Sequence, residues 1–138
     1  MREPDWEVSP VNLEKVVFGF FVVLAATLNF GFFIGDMGRP ELHNVYELFA
    51  AVVVNLIATV LKFGDRTQLG AVHLATSLVA SLQLIAAAVV WTYFANVVDG
   101  PLSAGQTATV VSLSGGALFA NVVSVVLLVT ETVSFQRR

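Results

Sequence analysis

Four long apolar runs, separated by short polar breaks, organise the chain: Val16 to Gly35, Val45 to Phe63, Gly70 to Val98 and Val110 to Thr130. Each matches the ~20 apolar residues that carry a helix across a bilayer's hydrocarbon. Within hydrocarbon every backbone N–H and C=O must find a partner inside the protein, and a helix supplies them all within one segment. The predicted fold is therefore all-α, an integral membrane four-helix bundle forming one membrane domain over residues 1–138, with residues 1–12 as a polar lead.

The breaks carry helix punctuation. Ser9-Pro10 reads as an N-cap with proline at the first helical position, where its missing N–H costs nothing. Asp36-Met37-Gly38 ends the first run, and Arg39-Pro40-Glu41 restarts a helix with an acidic residue in its first turn. Lys62-Phe63-Gly64-Asp65-Arg66 joins the second and third runs. There Gly64 suits a left-handed cap, and Asp65 with Gln68 resembles a capping pair for the third helix. So tight a connection makes those two helices antiparallel neighbours. Asp99-Gly100-Pro101 forms the last turn, and Ser103 with Gln106 resembles a capping box that would start the fourth helix at Ala104. That helix would run about 30 residues and need tilt or a projection beyond the bilayer.

Composition strengthens the membrane assignment, because 57% hydrophobic and 12% charged residues in a 138-residue chain is too apolar for a soluble domain. The runs leave no room for a soluble domain, and no nucleic-acid partner is expected. With no cysteine there are no disulfides, thiolate metal sites or cysteine nucleophiles. An acidic lead and a long apolar core argue against a cleaved secretory signal.

Charge sets orientation. Arg2, Lys15, Lys62, Arg66, Arg137 and Arg138 fall on one side of a four-span arrangement and only Arg39 on the other. Positive residues stay cytoplasmic, which places both termini and the Lys62–Arg66 turn inside. The expected location is the inner membrane of a bacterial or archaeal cell. Trp91, Tyr93 and Tyr46 then sit where aromatic belts form.

Polar residues within the spans are the candidate functional groups. Helical spacing puts Glu47, Ala51, Asn55, Thr59 and Lys62 on one stripe of the second span. The third span aligns His73, Thr76, Ala80, Gln83 and Ala87. The fourth aligns Ser114, Ala117, Asn121, Ser124, Leu128 and Glu131. Asn55, Gln83 and Asn121 lie near mid-span and Asn29 somewhat nearer the outside, so these amides and Thr59 are expected to converge on a polar layer. Such a layer serves either as interhelical glue, at about 0.6 kcal/mol per bond, or as a path in which amide oxygens replace part of an ion's hydration. Glu47, His73 and Glu131 are the possible ionisable sites. Each carboxylate is either a proton or cation site or, as its place near a membrane face favours, a solvated interfacial group. His73 is either a pH sensor or, as its place near the basic end favours, an interfacial hydrogen-bonding group. His43 and Glu47 are four apart, but two ligands without Asp36 or Glu41 make a poor site. No metal and no cofactor are expected.

Glycines at 31 and 35 form G-x-x-x-G, suited to close packing within the chain or to a dimer face, and Gly115-Gly116 permits close approach. Leu48 to Val53 and Leu118 to Val123 share five of six residues, which raises the prospect of two parallel hairpin repeats. There is no phosphate-cradling loop, zinc-protease motif or nucleophile elbow, and no enzymatic activity is expected.

The segments Asn12 to Phe21 (NLEKVVFGFF), Leu28 to Phe33 (LNFGFF) and Leu61 to Thr67 (LKFGDRT) resemble a family of small four-span bacterial inner-membrane proteins of unknown function. The resemblance covers about Asn12 to Glu131, implies four spans and brings no site residue with it. Small multidrug exporters are similar in length, but their first-span glutamate has no counterpart here, since Glu14 precedes the apolar run. Dual-topology fluoride channels share membrane asparagines but lack this charge bias. The expectation is a homo-oligomeric ion or small-solute channel or transporter working in the lipid bilayer, with a non-transporting subunit that binds another membrane protein as the alternative.

Overall fold

The computed structural model describes residues 13–65, 67–98 and 100–136, with side chains through Val133. The Ser9-Pro10 cap, the rest of the polar lead, Arg66, Asp99 and the terminal arginines lie outside the described residues. Four helices form: α1 (Leu13–Phe33), α2 (Val45–Lys62), α3 (Gln68–Asn96) and α4 (Ala104–Gln136), with one 3-10 turn at Pro40–Leu42. All four are long and apolar enough to cross a membrane. At 1.5 Å per residue, the 18 residues of α2 span about 27 Å, close to the ~30 Å hydrocarbon. The 29 residues of α3 and 33 of α4 exceed it; in a bilayer, helices of that length tilt or project.

The ends follow local chemistry, sometimes differently from the spacing. After α1, Gly35 adopts φ +123°, a left-handed value that only glycine takes without strain. Pro40 opens the 3-10 turn, but no helix continues from it. Instead the turn closes with the His43 N–H on the Pro40 carbonyl, and α2 starts afresh where Asn44 caps the Tyr46 N–H at 3.0 Å. Gly64 is not a left-handed cap. The last turn of α2 tightens, with Phe63 N–H on Val60 O and Asp65 N–H on Lys62 O, so its carbonyls are satisfied without a positive φ.

The cap of α3 is Thr67, whose hydroxyl accepts from Gly70 N–H at 2.9 Å, rather than Asp65. Asp65 instead accepts from both the hydroxyl and the N–H of Thr67, and those two bonds hold its carboxyl below the usual range. The capping box of α4 forms as the spacing predicts: Ser103 Oγ accepts from Gln106 N–H at 3.1 Å, and Gln106 Oε1 accepts from Ser103 N–H at 2.9 Å.

The helices pack as a closed ring in chain order, α1 on α2, α2 on α3, α3 on α4 and α4 on α1. Every neighbouring pair is antiparallel, so the single axis they share has one basic end, with Lys15 and Lys62, and one loop end, with Asp36 to Asn44 and Gly100 to Ser103. Phe32, Leu48 and Leu84 fill the loop-end half of the axis among Ala51, Ala80, Ala87 and Ala117. Phe18, Val22 and Ala58 fill the basic end. Alanines on the inner faces allow the close backbone approach that drives helix association in lipid. Large apolar residues such as Val53, Leu82, Phe119 and Val122 cover the outside.

Both glycine pairs serve contacts within the chain. Gly31 faces Glu47 of α2, Gly115 faces Phe33 of α1 and Gly116 faces Gln83 of α3. The two similar hexapeptides share a direction of exposure, with Phe49 and Phe119 outward and Ala51 and Asn121 inward, but Leu48 is fully buried while Leu118 is half-buried.

Candidate functional site

The inner faces of the ring carry a column of polar side chains. At the loop end Glu47 lies in the first turn of α2, and its carboxylate rests against the bare backbone of Gly31, where a Cβ would overlap Oε2. That oxygen is buried without a hydrogen-bond partner while the residue as a whole stays partly exposed, so Glu47 is only in part the solvated interfacial group its position in the sequence implies. Nearby, His43 Nδ1 sits 2.7 Å from the Phe32 carbonyl oxygen and Nε2 sits 2.8 Å from that of Asp36. With both nitrogens on carbonyls, His43 ties the end of α1 to the following loop and has no nitrogen left for a metal shared with Glu47. Among the described residues no cluster of three metal-ligating side chains occurs.

At mid-bundle the three asparagines are buried and Gln83 half-buried, and the amides do not bond to one another. Asn29 of α1 is fully buried and its Oδ1 accepts from the Ser114 hydroxyl of α4, while its Nδ2 has no partner. Gln83 of α3 lies over Gly116 of α4, half-buried, with Oε1 buried and unpartnered. Asn121 of α4 is buried with Nδ2 unpartnered. Asn55 turns back on its own helix, donating to Ala51 O at 2.9 Å. The amides and Thr59 thus lie on the inner faces, with no bond from one amide to another. They form a ladder of amides and hydroxyls in which Asn29 meets Ser114 and Gln83 meets Gly116 across the helix contacts.

Toward the basic end come two hydroxyl pairs, Thr59 with Ser81 at 3.1 Å between α2 and α3, and Thr76 with Ser124 at 2.5 Å between α3 and α4. Ser81, with Ser77, is absent from the projected stripe of α3. That helix buries His73, Ser77, Ala80, Leu84 and Ala87, a face rotated slightly from the 73/76/80/83/87 projection, which leaves Thr76 and Gln83 at its edge. The i, i+4 series His73, Ser77, Ser81 was the available signal, since four-residue steps share a face as well as three-residue ones.

The column ends at His73, fully buried rather than interfacial. Its ring stands edge-on to Phe18, 5.0 Å between centroids, and neither nitrogen has a hydrogen-bond partner. Nε2 lies 3.8 Å from Glu131 Oε2, and Glu131 Oε1 pairs with Lys15 Nζ at 2.8 Å. Lys62 sits 4.3 Å over the other contact of that ring, the centroid of Phe18, and 3.4 Å from Asp65. These groups border an open cleft of about 780 Å³ at the basic end, lined by Lys15, Phe18, Lys62, Asp65, Thr67 and Glu131 among others. Neither Glu131 nor Lys15 stands alone at an interface, because α1 and α4 are neighbours in the ring and bring them together.

A membrane-type four-helix bundle with a polar axis, open to solvent-facing charge at one end, is the class these features define. The chain belongs to a family of unknown function (DUF6394), whose model matches residues 42–132, from just before α2 to near the end of α4. No curated protein matches the chain, and no solved structure matches it.

Proposed function

We propose that this protein is a small channel or transporter for an ion or small solute, with the path running along the polar column inside the bundle. The observation that carries this is the set of buried polar atoms with no protein partner, on Glu47, Asn29, Gln83, Asn121 and His73, contributed by all four helices and spread from one end of the axis to the other. A buried donor or acceptor left unpaired costs about 1–3 kcal/mol. Structural glue would pair these atoms with each other; atoms left unpaired along the inner faces are suited to water or a passing solute. The lysine and arginine bias orients the basic end and both termini to the cytoplasm of a bacterial or archaeal inner membrane. Four helices enclose little interior of their own, which favours a homo-oligomer in the bilayer.

A shallow apolar groove on the outer surface, between Phe49 of α2 and Ala88, Val89, Thr92 and Tyr93 of α3, favours a second reading: a non-transporting subunit that binds another membrane protein there. Flux from vesicles separates the two. Purified protein in vesicles should pass at least one of the common monovalent cations, anions or protons faster than protein-free vesicles do. Equal leakage for all of them overturns an ion path and leaves the accessory role or a path for an uncharged solute.

A further inference from the structure

We propose that the species this column handles is the proton, and that His73 with Glu131 is its loading site at the basic end. This rests on the column being a path. His73 is the innermost titratable group on the basic side, with its side chain fully buried, and both ring nitrogens are free of hydrogen bonds. Glu131 bridges it to solvent. One carboxylate oxygen holds Lys15 at the wall of the cleft, and the other faces Nε2 at 3.8 Å. The charged groups around the ring come from every neighbouring element: Lys15 from α1, Lys62 from α2, Asp65 from the α2–α3 turn and Glu131 from α4.

The transfer balances without a co-reactant. A hydronium ion in the cleft gives its proton to Glu131 Oε2, leaving water and a neutral carboxyl that no longer pairs with the Lys15 ammonium. The Oε2–H bond then breaks as an Nε2–H bond forms, which restores the carboxylate and makes His73 an imidazolium beside it. The Nδ1–H bond then breaks as an O–H bond forms on a water molecule of the path, which becomes hydronium on the inner side. The ring is left neutral with its proton on Nε2, and a ring flip or tautomer exchange readies it for the next proton. Beyond the ring stand groups that both donate and accept, Thr76 with Ser124 and Thr59 with Ser81, and hydroxyls pass protons in a way that neutral amides alone do not. At the far end Glu47 Oε2, buried against Gly31, offers the matching carboxylate. A dehydrated metal cation would need several oxygens around one point, whereas the hydroxyl contacts along the column are pairs, Asn29 with Ser114, Thr59 with Ser81 and Thr76 with Ser124.

The test uses the full chain in vesicles of phosphatidylethanolamine and phosphatidylglycerol, with a pH dye inside and the membrane potential clamped by potassium and valinomycin. Wild type should take up protons faster than empty vesicles. His73→Asn should slow that uptake by about a hundredfold, the usual scale for removing a positioned acid–base group. Glu131→Gln should flatten its dependence on pH, an effect that altered packing alone does not produce. If His73→Asn does not fold, His73→Gln and the Glu131→Gln profile decide. Proton uptake by wild type no faster than by empty vesicles overturns the proposal, as does uptake that His73→Asn and Glu131→Gln leave unchanged. Should the same vesicles still pass another ion, and lose it in Asn121→Leu, the path stands and only its proton assignment falls. If they pass nothing, both fall.

Discussion

Asn121→Leu lowers flux by at least about tenfold, equivalent to ~1.4 kcal/mol on the barrier, and leaves the bundle as stable as before or slightly more so. Asn121 is 3% exposed and its Nδ2 has no protein partner. Leucine has a similar volume and no donor to desolvate. Replacing a buried polar group that is not satisfied removes a penalty rather than a bond, so stability holds or rises by up to about 1 kcal/mol. If Asn121 were interhelical glue, the same change would cost about 0.6 kcal/mol of stability and leave flux alone. The two outcomes have opposite signs in two assays, flux per folded protein and unfolding in detergent mixtures. Asn29→Leu is the informative contrast, since it also deprives Ser114 of its acceptor across the α1–α4 contact and should lower stability as well as flux.

Phe32→Ala lowers stability by about 3 kcal/mol, the lower end of the range for emptying a phenylalanine site. Phe32 is fully buried at the loop end of α1 and stands edge-on to Trp91 of α3, 5.8 Å between centroids, with His43 5.5 Å away on the other side. In a membrane the transfer of the ring from lipid to protein contributes little, since lipid is as apolar as the core. What is lost is contact with neighbours that cannot close the gap, the Trp91 and His43 rings among them, while the His43 bond to the backbone carbonyl of residue 32 stays. Unfolding of the variant in detergent mixtures measures the loss. A cost below about 1 kcal/mol would mean that the loop end collapses readily and is not the packed anchor described above.

The four long apolar helices and most of their inner faces were legible in the sequence because an apolar run of about 20 residues has one local way to satisfy its own backbone groups, a helix. Ser103 with Gln106 was legible too, as both halves of that cap lie within four residues. Less legible were features decided by more than one segment. Gly64 looked like a left-handed cap, but the short α2–α3 connection closed with a tightened turn. Thr67 displaced Asp65 as the cap because Asp65 bonds more locally, to Thr67 itself. Projection at helical spacing placed Asn55 and Asn121 inward, and yet it could not show that Asn55 bonds its own helix while Asn121 bonds nothing. His73 and Glu131 read as separate interfacial groups because they lie 58 positions apart; only the α1–α4 and α3–α4 contacts bring Lys15, Glu131 and His73 into one cluster.

The absence of native cysteine makes a direct test of the polar column possible. Single cysteines are placed at Ser81 and Ser114, which are buried on the column, and at Leu82 and Val122, which face outward. Each variant is exposed in membranes to a small charged thiol reagent, which reacts with the thiolate and so needs water at the sulfur. A hydrated path predicts that Ser81→Cys and Ser114→Cys react at least about tenfold faster than Leu82→Cys and Val122→Cys, in spite of their greater burial. Column cysteines as inert as the lipid-facing ones would show a dry core of structural hydrogen bonds, and would contradict the path.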